Sequence, residues 1–444
     1  MRHILLLGAG RSSSALIQYL LNHAAEDTYH LTVNDLSADL AKEKTGNHLC
    51  STAISFDIHN DFLRKTELKK CDLVISLLPP ALHIIVARDC VEIGRHLITA
   101  SYVTNDISAL HDESLKKNII LLNECGLDPG IDHMSAVEII NRLKQNGAEI
   151  ISFKSYTGGL IAPESIDNPW GYKFTWNPRN VILAGQGTAK YIQDGKYHYI
   201  PYQRLFTQLE TVTIEGYGNF EGYANRDSLA YRKQYGINHI PTLLRGTLRG
   251  RKFCSAWNIF VQTGLTDDSY IIDDSEHLTY AMLVESMLTD RNTDESLANR
   301  LAKMCQLPVD SEEMMMIQST GILDNTVIGL VKATPAQILQ HLLERKWQLK
   351  EGDHDMIIMH HLFEYRIQNK IRNLSSTLIV KGENRQITAM AKTVGYPLGI
   401  AARLLLKGKI NLSGVVIPVL PEIYMPVLEE LKRLKIGFIE NELG

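Results

Sequence analysis

A short apolar run, His3 to Leu7, ends in Gly8-Ala9-Gly10 and is followed at once by Ser12 to His23, where Leu16, Ile17, Leu20 and Leu21 recur at helical spacing. A strand that turns on glycines straight into a helix constrains the fold more than any other feature here. It opens a βαβ unit, and βαβ units build parallel sheets. The alternation continues. Tyr29 to Val33 reads as a second strand closing on Asn34-Asp35, Ala38 to Gly46 as a helix closed by a glycine, and Ala53 to Phe56 as a third strand. Asp72 to Leu78 is nearly all apolar, as a parallel strand covered on both faces must be, and Pro79-Pro80 stops it. Leu82 to Ile93 reads as a helix ending at Gly94. His96 to Ala100 and Ile119 to Asn123 supply two more strands around a helix at Ile107 to Lys117. The expected class is α/β, a Rossmann-type doubly wound parallel sheet.

At 444 residues the chain is too long for one core, so two or three domains are expected. A net charge of -4 provides no basic field for nucleic acid. The longest apolar runs, such as Ile4 to Leu7 and Leu73 to Leu78, are strand-length, so no membrane partner is expected. Met1-Arg2-His3 leads directly into the first strand, which argues against a signal peptide. Six cysteines, at 50, 71, 90, 125, 254 and 305, form no CxxC pair. They read as free thiols in a reducing cytosol, and a cytoplasmic protein is expected.

In a doubly wound sheet, ligands lie beyond the carboxyl ends of the strands. That singles out Gly8 to Ser13, Ser76 to Pro80 with Leu78, Ala100 to Tyr102, and Asn123 to His133. Gly8 permits the tight turn, and Gly10 lets the backbone approach a pyrophosphate at the helix N-terminus. The third fingerprint position is Ser13, so the motif is incomplete. Asp35 is placed to accept from adenosine ribose hydroxyls, and its charge opposes a 2′-phosphate, which favours NAD over NADP. As alternatives, Asp35 could cap the following helix and Arg11 could contact a phosphate.

The middle of the chain is more distinctive. It carries NECGLDPGIDH (123–133), SYTGGLIAPESIDNPWGYKF (155–174), ANRDS (224–228) and RGTLR (245–249). Thr393 to Pro397 and Gly414 to Val416 follow near the C-terminus. In these phrases the chain resembles the glutamate-forming saccharopine dehydrogenases, also called saccharopine reductases, over essentially its whole length. The resemblance implies oxidation of saccharopine to glutamate and aminoadipate semialdehyde, or the reverse condensation, with NAD or NADP. It places Gly10, Arg11, Ser12 and Ser13 on the pyrophosphate. Ser101 and Tyr102 fall at the substrate and nicotinamide edge, and Leu127 and Asp128 in the loop between cofactor and substrate. Arg226, Thr247, Leu248 and Arg249 match substrate-carboxylate contacts, and Lys173 and Phe174 the pocket wall. Two departures stand out. Thr157 replaces a cysteine common in relatives, and Asn34-Asp35-Leu36-Ser37 lacks the basic residue of NADP-using relatives, which again points to NAD.

Saccharopine is a secondary amine with three carboxylates, so arginine forks suit it. Arg226 and Arg249 fit best, with Arg245 and Arg251 as alternates; any of these could also be a surface arginine. Asp128 or Tyr102 could serve as general acid or base, or as polar orienters. His133, leading into an apolar helix, reads as a structural histidine and not as a base. Gly352 to Asp355 and His360-His361 read as an exposed turn and a helix start, so no metal is expected, and Met314 to Met316 reads as core.

The dinucleotide-binding domain is expected over 1–125 with about 390–444. An α+β substrate domain is expected over about 126–389, with a mostly antiparallel sheet and a helical subdomain near 275–345. Phe153 to Tyr156, Ser255 to Gln262 and Ser376 to Lys381 read as strands. Ser275 to Met287, Ser296 to Met304, Thr334 to Arg345 and Thr388 to Leu406 read as helices. The resemblance implies a C-terminal return to the first domain, catalysis in an interdomain cleft, and a homodimer. Two other readings are a carboxynorspermidine-type dehydrogenase and a non-catalytic NAD-binding regulatory paralogue.

Overall fold

β1 (Arg2–Leu7) is buried from Ile4 onward because parallel neighbours flank it on both sides: β2 (Tyr29–Asn34) on one and β4 (Leu73–Ser76) on the other. With β3 (Ser51–Ile54), β5 (His96–Thr99) and β6 (Ile120–Leu122), the sheet takes the order β6-β5-β4-β1-β2-β3. A seventh parallel strand, Gly414–Val416, is added beside β6. The order reverses between β1 and β4, and that switch point opens a crevice at their carboxyl ends. In the computed structural model, which describes residues 1–290 and 294–443, the chain divides into two units. The sheet belongs to the first, which comprises residues 1–150, the three residues Gln234–Gly236, and everything from Tyr365 onward.

Helix α1 (Ser14–Asp27) covers the sheet beside the C-terminal helix Ala389–Leu406. Glycine makes that close approach possible. A Cβ on Gly395 would lie 2.8 Å from the backbone nitrogen of Leu16, and one on Gly399 would lie 2.6 Å from the ring of Tyr19. The α2 helix (Ala38–Thr45) is capped by Ser37, whose hydroxyl accepts from Leu40 N–H, so Asp35 is not its cap. α3 (Asp61–Lys70) and α4 (His83–Ile93) follow, and α4 ends at Gly94 in the left-handed conformation. The single helix expected at Ile107 to Lys117 is two short ones, α5 (Asn105–Ser108) and α6 (His111–Lys116). α7 (Ile131–Gln145) is buried along most of its first three turns.

The second unit, residues 151–233 with 237–364, holds a mixed sheet. Its strands include β7 (Glu149–Ile161), β8 (Thr188–Gln193), β9 (Lys196–Pro201), β10 (Glu210–Ile214), β11 (Gly218–Ala224), β12 (Thr242–Arg249) and β13 (Asp355–Ile367). The same sheet takes in Lys370–Lys381, which contains the strand expected at Ser376 to Lys381, and Ile439–Leu443. The β10–β11, β11–β12, β8–β9 and β8–β12 pairs are antiparallel, and β12 runs parallel to β7. Helices Tyr280–Met287, Leu297–Met304, Glu312–Thr320 and Pro335–Lys346 share one core with Trp170, Trp257 and Trp347. Ser255 to Gln262, expected as a strand, lies in helix Phe253–Gln262, with eight of its ten residues buried. Ser255, Asn258 and Gln262 fall at helical spacing, a polar stripe that marks the helix, and a helical core surrounds its other face. His360 and His361, expected at a helix start, sit buried on β13. Met314 and Met316 are fully buried, while Met315 faces outward.

Candidate functional site

The crevice at β1 is shaped by its turn. Gly8 has φ +100°, and a Cβ there would stand 3.0 Å from the carbonyl oxygen of Leu77, so only glycine fits. Gly10 has open space around it and leads into Arg11–Ser13 and α1, whose N-terminus no side chain caps. An uncapped helix end beside an open glycine is a phosphate cradle, and the residues present fit a dinucleotide. Ser13 is buried and bonds the carbonyl of Gly10, so it stabilises the turn where a third glycine would only allow close packing. Asp35, at the end of β2, receives Ala9 N–H at 2.8 Å on one oxygen and Ser37 N–H at 3.0 Å on the other. Its carboxylate is thereby fixed at the crevice, next to the glycine turn.

The ends of β4 and β5 are joined by a residue that the sequence reading passed over. His83, at the start of α4, places Nδ1 2.8 Å from Ser76 Oγ and Nε2 2.7 Å from Ser101 Oγ. It is buried, and burial holds its pKa down at about 4, so the ring is neutral at physiological pH. The two serines share a single imidazole, which fixes the Ser101 hydroxyl. The available clue was a histidine following Pro79-Pro80 at a strand end. Leu78 lies half-buried on the same loop.

Beyond β5 and β6, Tyr102 donates its hydroxyl to Asp128 Oδ1 at 3.2 Å. Leu127, beside it, is buried, and its carbonyl accepts from Asp132 N–H. The Asp128-Pro129 peptide is cis, and Gly130 opens α7. Behind this loop, Glu124 and His133 are both buried. His133 Nε2 lies 2.8 Å from Glu124 Oε2, and Nδ1 lies 2.5 Å from the hydroxyl of Tyr235.

In the second unit, Thr247 and Arg249 project from one face of β12, while Leu248 faces the other way against Gly158. Arg249 is 5% exposed. Its guanidinium sits among the rings of Tyr172, Tyr223 and Phe253, with its carbon 5.5, 6.0 and 5.4 Å from their centroids. Nη1 bonds only the carbonyl of Leu248, Nε has no partner, and no carboxylate pairs with Arg249 among the described residues. Arg245 lies over the ring of Tyr231 at 4.4 Å. Arg226 is exposed, at φ +50°, with its carbonyl accepting from Lys190 N–H. Arg251 pairs with Glu312 at the surface.

Lys173 is buried, but its ammonium is held by Asp353 at 2.6 Å and Asp167 at 2.9 Å. Two carboxylates already neutralise it, so it reads as a clamp between loops. Phe174 is buried against Tyr172 and Trp347. Thr157, at 7% exposure, has a hydroxyl with no hydrogen-bond partner among the described residues. Among the described residues, no group of three or more histidine, cysteine or acidic side chains is arranged to hold a metal. All six cysteines are unpaired, and no described helix is long and apolar enough to cross a membrane.

Two family models match. The saccharopine dehydrogenase NADP binding domain covers residues 4–122, and the saccharopine dehydrogenase C-terminal domain covers 126–436. The mitochondrial alpha-aminoadipic semialdehyde synthase of Bos taurus is 34% identical over 97% of this chain, which spans about half (47%) of that protein's length. The saccharopine dehydrogenase [NADP(+), L-glutamate-forming] of Saccharomyces cerevisiae is 33% identical over 97% of both chains. Among solved structures, the apo histidine-tagged saccharopine dehydrogenase (L-Glu forming) from Saccharomyces cerevisiae superimposes with a TM-score of 0.87 at 30% identity over the full length of both chains. A homospermidine synthase from Legionella pneumophila shares the fold at TM-score 0.56 and 13% identity.

Proposed function

Because the chain belongs to the saccharopine dehydrogenase family, we propose that it interconverts saccharopine with glutamate and 2-aminoadipate 6-semialdehyde in lysine metabolism. Saccharopine, water and an oxidised nicotinamide dinucleotide give glutamate, the semialdehyde, the reduced dinucleotide and a proton. Arg249 carries this reading. A buried guanidinium with no counter-ion costs several kcal/mol in an apo protein unless a carboxylate arrives, and saccharopine brings three.

The bound dinucleotide supplies the hydride acceptor. Gly8, Gly10 to Ser13, Asp35, Leu78 and Leu127 are the residues that would hold it, and Ser101, steadied by His83, borders its reactive end. The substrate amine must be neutral before hydride leaves the adjacent carbon. Water then adds to the imine, and the carbinolamine breaks its C–N bond to release glutamate. The Tyr102–Asp128 pair is the proton-handling group in this scheme, since a hydroxyl already aimed at a carboxylate can pass a proton either way. Arg249 and Arg226 hold substrate carboxylates, Thr247 and Leu248 shape the strand beside them, and Lys173 and Phe174 support the wall.

The finer choice of dinucleotide sets two observations against each other. The matching model's description and the fungal relatives' names favour NADP. The Asp35 carboxylate, pinned at the end of β2, opposes a 2′-phosphate, and on that ground we propose NAD for this chain. A homodimer in the cytoplasm completes the proposal.

The deciding experiment follows reduced-dinucleotide absorbance at alkaline pH with saccharopine, using NAD and NADP in parallel. Reduction of neither sinks the proposed activity, and a higher kcat/KM with NADP sinks the NAD assignment alone. A monocarboxylate secondary amine replacing saccharopine without loss would move the reading toward the polyamine-type enzyme. Arg226→Ala should raise KM for saccharopine and leave dinucleotide binding nearly unchanged.

A further inference from the structure

His133 ends the most distinctive phrase in the sequence, yet the scheme above leaves it unused. It is fully buried, 0% exposed, at the start of α7. Both ring nitrogens are engaged, Nε2 by Glu124 at 2.8 Å and Nδ1 by the Tyr235 hydroxyl at 2.5 Å, with Asp132 Oδ2 at 3.5 Å from Nδ1. Glu124 reaches onward. Its other carboxylate oxygen accepts Val103 N–H at 3.0 Å, and its own N–H donates to the carbonyl of Ser101 at 3.0 Å. The residues on both sides of Tyr102 are therefore bonded to Glu124, and Tyr102 is the one that donates to Asp128.

Glu124 also holds φ +56°, a left-handed conformation that a non-glycine residue adopts at a cost of order 1 kcal/mol or more. Such a conformation persists only where surrounding contacts over-determine it. Here those contacts are the imidazole and the Ser101 to Val103 backbone. Tyr235 comes from the isolated three-residue stretch Gln234–Gly236, which belongs to the first unit although the chain on either side of it belongs to the second.

We propose that Tyr235, His133 and Glu124 form a buried brace that sets the position of Tyr102, making His133 a positioning residue for the reaction. The inference rests on the reading of Tyr102 and Asp128 given above.

The test compares His133→Asn, Tyr235→Phe and Tyr102→Phe with the double variants, in the full-length enzyme with saccharopine and dinucleotide. His133→Asn is expected to lower kcat by about tenfold to a hundredfold, as misplacement of a reacting group does, with dinucleotide affinity held within about twofold. Tyr235→Phe, which removes only a hydroxyl, should lower kcat by about threefold to tenfold and serves if His133→Asn does not fold. In the Tyr102→Phe background each change should slow the enzyme much less than it does alone, because the brace acts chiefly through that hydroxyl. Hydrogen exchange of the 101–104 segment, followed by mass spectrometry, should speed up in both brace variants. Losses that multiply fully in the double variants, or unchanged exchange, would overturn the positioning role alone. A Tyr102→Phe enzyme as fast as its parent would overturn the site reading and the positioning role together.

Discussion

At the scale of single residues, surroundings sharpen a ranking that the sequence had begun. Arg226 and Arg249 suited substrate carboxylates best, with Arg245 and Arg251 as alternates, and any of the four could have lain at the surface. Burial alone does not decide, since Arg245 and Arg249 are both buried. Arg251 is paired at the surface, whereas Arg249 is enclosed by three rings with no carboxylate beside it among the described residues. Arg249→Ala should therefore raise KM for saccharopine at least tenfold while dinucleotide binding, read by fluorescence titration, stays within about twofold. An unchanged KM would remove Arg249 from the substrate site. Lys173 went the other way: its motif marked it as pocket wall, and Asp167 and Asp353 hold its charge. His83 was illegible for a different reason. Its role depends on Ser76 and Ser101 arriving from two adjacent strands, a pairing that spacing alone does not announce. His83→Ala should lower kcat/KM about tenfold, and His83→Asn, which can bridge one serine, should recover part of that loss. Equal activity of both variants with the parent would show that the bridge is idle.

Among the elements, those with a period or a punctuating residue were legible. The glycine turn, the alternating strands of the first sheet, and the helices capped by Ser296, Thr334 and Thr388 could all be read in advance, because caps and apolar stripes are local signals. Helix Phe253–Gln262 was read as a strand because aromatic and β-branched residues dominate a short run, although Ser255, Asn258 and Gln262 recur at helical spacing. The helix Ala389–Leu406 shows what small residues can mean. Gly395 and Gly399 are four apart and let α1 lie against the helix, so the pair fixes the element whose N-terminus forms the cradle. Gly395→Ala would press a methyl against backbone that has no rotamer to yield. It should destabilise by about 1–3 kcal/mol and weaken dinucleotide binding in parallel. Denaturant midpoints and a binding titration check it, and a neutral variant would mean that α1 slides without cost.

At the scale of the whole molecule, two buried histidines set an acid limit. Burial holds His83 and His360, one in each unit, down at about 4 against an ordinary 6.5. Between those values the unfolded chain takes up protons that the folded chain refuses. Stability present above pH 6.5 is thus lost as the pH falls toward 4, by up to about 3 kcal/mol for each histidine. Thermal midpoints should drop steadily across that window, and His360→Gln should make the drop shallower. A midpoint independent of pH there would contradict the burial argument.

The seventh strand of the first sheet carries a consequence for biogenesis. Ile120 on β6 pairs with Gly414, so one flank of the dinucleotide-binding sheet stays open while the whole second unit leaves the ribosome. Through most of synthesis, β6 presents unpaired backbone amides and carbonyls that other chains could capture. That edge of the nascent chain closes only when Gly414–Val416 emerges.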